Sequence, residues 1–261
     1  MGPLKGKTAF VSGGTRGIGL AIAARLARDG ADVMIAGSNL ANCETATKTI
    51  IAQSGGRVEA HAGDLRTLEG CRAAFEAHGR NFGTCDILVH SAGATRGGMF
   101  PDQEDADFIE GFALKFHAGV RLARLFWPSL VSAHGNVVMI VGGASRTPDA
   151  KFMVGGAVNA ALANFSKALA GQGLQDDVNV NWINPGQTET ERLQQLLATR
   201  ARDEKRSIDD VRAERMQAEG IRRLGRPEDT AALVAFLCGG EARHIHGAGI
   251  SVDGGATKGY F

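Results

Sequence analysis

The sequence predicts an α/β protein: a single domain holding a doubly wound parallel sheet of about seven strands, with helices on both faces. Three observations predict it. Short runs rich in Val and Ile alternate with longer helix-like stretches along the whole chain. Those runs are short and mostly apolar, which suits strands covered on both faces. The first run leads straight into a glycine-rich loop and then a helical pattern, "VSGGTRGIGLAIAARLARDG" at 11–30.

The elements follow in order. "KTAFVS" (7–12) reads as the first strand and 17–29 as the helix after the glycine loop. "DVMIAG" (32–37) and "RVEAHAG" (57–63) are the next strands, followed by helices over 39–53 and 66–79. "DILVHSAG" (86–93) leads to a long helix over 104–132, and "NVVMIVG" (136–142) to another over 151–174. In that last helix Ala160, Leu162, Ala163, Phe165 and Leu169 give an apolar face at helical spacing. It also carries Gly155 and Gly156 near its start, each costing about 1 kcal/mol relative to alanine. "VNVNWINPG" (178–186), a helix over 227–238 and "GISVDGG" (249–255) complete the series.

The segment 188–226 interrupts this alternation. It is rich in Arg, Glu and Gln, with Leu193, Leu196, Leu197, Ile208, Val211, Met216, Ile221 and Leu224 spaced as in amphipathic helices. Its place between a strand end and a helix suits a substrate lid; a solvated helical excursion is the alternative.

The 261 residues suffice for one large core. Lys and Arg total 29 against 28 Asp and Glu, so no basic excess points to nucleic acid or an anionic membrane. The four cysteines, Cys43, Cys71, Cys85 and Cys238, are scattered, with no metal-ligand spacing; they read as free thiols in a reducing compartment. The start, "MGPLKGKTAF", has no apolar run of leader length. The expectation is a cytoplasmic protein acting on a small molecule, with no metal, nucleic-acid or membrane partner.

Gly13, Gly17 and Gly19 fall between a strand and a helix. Glycines there permit a tight turn and close approach of a pyrophosphate, which the helix N-terminus then binds through its amides and dipole. That context predicts a dinucleotide site.

From this loop onward the chain resembles the short-chain dehydrogenase/reductase family, whose fold is of the Rossmann type. The loop is similar to the family's TGxxxGIG signature, with Ser12 for the usual Thr. "GDL" (63–65) resembles the segment whose Asp meets the adenine, and "HSAG" (90–93) the NNAG motif. "INPGQTET" (183–190) resembles the PG motif beside the nicotinamide; "GRPED" (225–229) and "SVDGG" (251–255) resemble the family's C-terminal markers. The resemblance implies cofactor contacts at Gly13, Thr15, Arg16, Gly17, Ile18, Gly19, Ser38, Asp64, Leu65, Ser91, Ala92, Gly93, Asn159, Pro185, Gly186 and Thr188. It also implies a homodimer or homotetramer joined through the helices of 104–132 and 151–174.

The end of the second strand bears on which cofactor binds. A carboxylate there would accept bonds from a ribose 2′-OH and favour NAD. This chain has Gly37 and Ser38, which do not repel a 2′-phosphate, and Arg16 is a candidate phosphate partner. NADP is favoured over NAD.

The resemblance breaks at the family's chemistry, which rests on an Asn, a Ser and a Tyr–Lys pair four residues apart. Local matching puts the Ser slot on Gly142, the Tyr slot on Gly155, the Lys slot on Asn159 and the Asn slot on Lys115. The single tyrosine is Tyr260, so no YxxxK motif exists. A glycine cannot donate the proton that carbonyl reduction needs. The space left by the two glycines either admits a bulkier substrate or is filled by Phe152, which otherwise reads as a core residue.

Lys115 and Asn159 look like the family's Asn and Lys exchanged between two helices. Burial would lower the Lys115 pKa and let it act as acid or base; a surface or structural lysine is the alternative. Asp149 reads as a turn residue or a proton carrier, and Ser145 as a loop serine near the Ser slot. His117 reads as structural, and Tyr260 as a terminal residue or a group reaching a neighbouring subunit's site. Three functions stay open: an atypical oxidoreductase using NADP(H) or NAD(H) on an alcohol or carbonyl; a non-redox lyase, dehydratase or isomerase; and a dinucleotide-binding protein without catalysis.

Overall fold

The computed structural model describes residues 2–259. Tyr260 lies outside the described residues. The seven strands are β1 (Thr8–Ser12), β2 (Asp32–Gly37), β3 (Val58–Ala62), β4 (Ile87–His90), β5 (Asn136–Ile140), β6 (Asn179–Pro185) and β7 (Gly249–Val252). All pair in parallel in the order β3-β2-β1-β4-β5-β6-β7. The helices are α1 (Gly17–Arg28), α2 (Leu40–Ser54), α3 (Leu68–Phe82), α4 (Asp105–Gly111), α5 (Ala118–Ser132), α6 (Met153–Asp176), α7 (Glu191–Asp203), α8 (Ile208–Glu219) and α9 (Pro227–Leu237).

The strand pleat sends successive side chains to opposite faces. Ala9 and Val11 join a core with Ile22 and Leu26 of α1 and Val234 of α9. Phe10 joins the other, with Leu122 and Phe126 of α5 and Leu162 of α6. The Phe10 and Phe126 rings lie 4.8 Å apart between centroids, at the middle of that layer. Each of these large buried side chains, Ala9 apart, contributes about 1.5–3 kcal/mol by leaving water.

Two elements differ from the sequence expectation. The helix expected over 104–132 is interrupted by a π-helical turn at Phe112–His117. There the Lys115 carbonyl is engaged from outside the helix by His90 Nε2, at 2.9 Å, and such diversions accompany π turns. In α6, Ala160 is exposed, while Val154, Val158, Leu162, Ser166 and Ala170 line the buried face at a spacing of four.

The segment 188–226 folds as α7 and α8 around a small core of its own: Leu193, Leu197, Ala201, Val211, Ile221 and Leu224. Leu196 and Ile208, expected on the apolar face, are 52% and 46% exposed. The strand order reverses between β1 and β4, where Ser12 and His90 stand side by side. That reversal opens a crevice at the carboxyl ends of the strands, where such folds hold their ligands.

Candidate active site

The crevice is lined with backbone. Gly13 has φ +68°, and a Cβ on it would lie 2.8 Å from the Ala92 backbone. A Cβ on Gly19 would lie 2.1 Å from the Gly13 carbonyl oxygen. A side chain at 13 would push the loop after β1 away from the Ser91–Gly93 loop after β4, and one at 19 would push α1 away from the loop after β1. The α1 N-terminus carries no acidic residue in its first turn and no side-chain cap. Its free amides and positive dipole end suit an anion.

At the β2 end, a Cβ on Gly37 would lie 2.5 Å from Thr15 Cγ2. Packing against the glycine loop therefore excludes a carboxylate at 37. Ser38 and Arg16 are exposed. The Asp64 carboxylate is held by Arg66, whose Nε lies 2.9 Å from Oδ1, and this bond holds its pKa below the usual carboxylate value. Leu65 is buried, and its carbonyl accepts from Cys71 Sγ.

A relay between two of these motifs crosses beneath the loops. The Ser91 and Ala92 amides donate to Ser12 Oγ at 3.1 and 3.3 Å. His90 Nδ1 lies 2.8 Å from Ser12 Oγ, and Nε2 lies 2.9 Å from the Lys115 carbonyl. A carbonyl can only accept, so Nε2 carries the proton and Nδ1 accepts from the serine hydroxyl. Burial lowers the His90 pKa to about 4, which keeps this tautomer neutral.

The Lys115 side chain runs from the π turn across Gly93. A Cβ on Gly93 would lie 2.9 Å from Lys115 Cδ. Its Nζ donates to the Val141 carbonyl at 2.5 Å. Burial first, and the Arg192 guanidinium second, lower its pKa to about 8. The residue keeps partial solvent contact, while its ammonium is desolvated enough to lower its pKa. Val141 precedes Gly142, which has φ +138°; a Cβ there would lie 3.0 Å from Asn159 Nδ2.

Lys115, Gly142 and Asn159 thus meet at the carboxyl end of β5. Asn159 is buried, and its Oδ1 has no partner among the described residues. That orphan acceptor suits a hydroxyl donor such as a ribose, and the glycine cradle suits a pyrophosphate, so these residues fit a dinucleotide. At Gly155 the open space is taken: a Cβ would lie 2.1 Å from Cε1 and Cζ of Phe152. Phe152 is half-buried just before α6, not a fully buried core residue.

The segment after β6 closes the remaining side. Pro185 ends the strand, and Thr188 Oγ1 donates to the Gly186 carbonyl at 3.0 Å. Thr190 caps α7 and reaches the glycine loop, where a Cβ on Gly17 would lie 3.2 Å from its Cγ2. Ile18 packs inward on the α1 side. Arg192 of α7 spans the cleft to donate from Nη2 to the Thr95 carbonyl at 2.7 Å.

Other candidates fall away. Asp149 is exposed and accepts from the Lys151 amide at 2.8 Å, as a turn residue does. Ser145 donates to Asn184 Oδ1 at 3.3 Å. His117 is exposed and makes ring contact with Phe116, so it is not a core histidine. All four cysteines are buried and unpaired, with burial raising their pKa values. No described helix is long and apolar enough to cross a membrane. Arg192 and the Ser12–His90 pair escaped sequence reasoning. The His in "HSAG" was the visible signal for the pair.

Comparison with known proteins agrees with this architecture. Residues 13–257 match the family model described as enoyl-(acyl carrier protein) reductase. The chain is a member of the short-chain dehydrogenase/reductase family. It is 33% identical to the NADPH-dependent reductase BacG of Bacillus subtilis, over 97% of this chain and 98% of that one. L-sorbose reductase from Gluconobacter frateurii, solved with NADPH and L-sorbose, superposes with a TM-score of 0.94 at 30% identity, covering 99% of both chains. A short-chain dehydrogenase from Burkholderia cenocepacia, solved with NADP, gives a TM-score of 0.85 at 32% identity, over 97% of this chain and 99% of that one.

Proposed function

We propose that this chain is an NADP(H)-dependent oxidoreductase of small alcohols or carbonyl compounds, with Lys115 as its acid–base group. The observation that carries the reading is the Lys115 ammonium in the cleft. It lies 2.5 Å from the Val141 carbonyl, beside Gly142 and the orphan Asn159 acceptor. When bound, the dinucleotide supplies or accepts the hydride. The glycine cradle and α1 amides hold its pyrophosphate. Asn159 Oδ1 accepts from a ribose hydroxyl. Arg16, with no carboxylate at 37 or 38, favours the 2′-phosphate.

Lys115 holds the proton. In reduction its ammonium donates to the carbonyl oxygen, the part a tyrosine plays elsewhere in the family; in oxidation the neutral amine takes the proton back. His90 fixes the Lys115 backbone, and the α7–α8 segment acts as a lid over the cleft. The family resemblance supports a homodimer or homotetramer, and the unpaired cysteines suit a reducing compartment such as the cytoplasm.

Titration with NADPH, NADH and their oxidised forms, followed by nucleotide fluorescence and thermal shift, tests the cofactor. A ligand that binds only the folded state raises its apparent stability. Micromolar binding with NADPH ahead supports the reading; no binding of any dinucleotide overturns it. An alcohol and carbonyl panel then separates an enzyme from a binding protein. The second reading draws on Phe152, whose ring fills the place of the family's acid. Tight binding with no turnover would select it.

A further inference from the structure

We infer that the substrate carries a carboxylate and that Arg192 selects it, so that the substrate class is oxo acids and the matching hydroxy acids. This rests on the oxidoreductase reading for the carbonyl chemistry, and on separate observations for the acid.

Two cations border the 93–95 loop: the Lys115 side chain packs over Gly93, and the exposed Arg192 donates to the Thr95 carbonyl. Lys115 spends one N–H on the Val141 carbonyl and Arg192 one on the Thr95 carbonyl. Among the described residues neither forms an ion pair with a carboxylate. The other arginines of the lid mostly do. Arg200 and Arg206 share Glu204 and Glu214, Arg202 pairs with Asp203, Arg212 with Glu189, Arg215 with Glu219 and Arg223 with Asp229. The one ion pair on the loop that holds Thr95, Arg96 with Asp107, is neutral in itself.

The arrangement repels as it stands, because the Arg192 charge acts on the buried Lys115. A bound carboxylate removes that repulsion. The guanidinium retains four N–H donors in a planar fork, which matches a carboxylate bidentately. Lys115 retains two donors for a carbonyl oxygen. The competing occupant is the cofactor pyrophosphate, because the nearby Thr190 touches the glycine loop.

The experiment is calorimetric titration of the wild type, Arg192→Met and Arg192→Lys. The probes are pyruvate, acetoacetate and phenylpyruvate, each beside its methyl ester, with NADPH in parallel. The wild type should bind at least one acid roughly tenfold or more tighter than its ester, as expected for a charge-assisted contact. Arg192→Met should abolish that preference and leave NADPH affinity within about twofold, and Arg192→Lys should keep part of it. The proposal is overturned if no acid is preferred to its ester. It is also overturned if Arg192→Met loses NADPH affinity instead, which makes Arg192 a cofactor ligand. Acid binding without any NADPH oxidation would sink the oxidoreductase reading and leave the carboxylate site standing. Turnover of neutral carbonyls alone would do the reverse.

Discussion

The Phe152 ring lies where a side chain on Gly155 would project, with Cε1 and Cζ 2.1 Å from the position of its Cβ. The glycine and the aromatic residue are therefore one packing unit. Gly155→Ala should destabilise by about 1–3 kcal/mol through overpacking. In a Phe152→Ala background the clash is gone, and the same change should stabilise by about 1 kcal/mol through helix propensity. Urea denaturation of the double-mutant cycle reads the change of sign. Additive effects would show that the ring does not press on Gly155.

The same pairing predicts that a tyrosine at 155 will not work alone. Gly155→Tyr meets the Phe152 ring, so it should express poorly or unfold early. Gly155→Tyr with Phe152→Ala should recover most of the wild-type melting temperature. Equal melting temperatures for the single and double variants would argue that the ring swings away freely.

His90 links the glycine loop to the π turn only while neutral. Its pKa in the fold is about 4, below the ordinary histidine value of 6.5. The unfolded chain therefore binds the proton first, and the His90 contribution is lost as pH falls from about 6.5 towards 4. His90→Asn should flatten the stability curve in that window relative to the wild type. His61 and His78 are also shifted downward by burial, so the difference between the two curves is the quantity to measure. Parallel curves would remove His90 from the relay.

Most strands were legible because each is a short, largely apolar run, as in "AFVS" of β1 or "VVMI" of β5. The glycine loop was legible because its neighbours are a strand and a helix. The π turn was not, because it accompanies a bond from His90 to the Lys115 carbonyl that spans 25 residues. The Ser12–His90 contact joins residues 78 apart and appears only once β1 and β4 are in register. Arg192 is one of many basic residues of 188–226, and its reach to Thr95 exists only once α7 is folded against the loop after β4.

Cofactor choice follows from the β2 end. Ser38→Asp places a carboxylate where the 2′-phosphate would lie, without the clash with Thr15 that blocks Gly37→Asp. It should weaken NADPH binding by about tenfold or more, as expected for a charged contact, and improve NADH binding. Arg16→Ala should weaken NADPH more than NADH. Fluorescence titration decides; an unchanged NADPH-to-NADH ratio in both variants would place the 2′-phosphate elsewhere.

The central claim is that Lys115 moves the proton. With its pKa lowered from 10.5 to about 8, stability from this group should rise with pH across that window, and Lys115→Met should lose the rise. The most direct measurement is the pH dependence of NADPH oxidation with a carbonyl substrate. Wild-type reduction should fall as pH climbs through about 8, because the ammonium is the donor, and alcohol oxidation should rise over the same range. Lys115→Met should bind NADPH normally and turn over nothing. If that variant keeps wild-type turnover with the same pH profile, Lys115 is not the acid–base group.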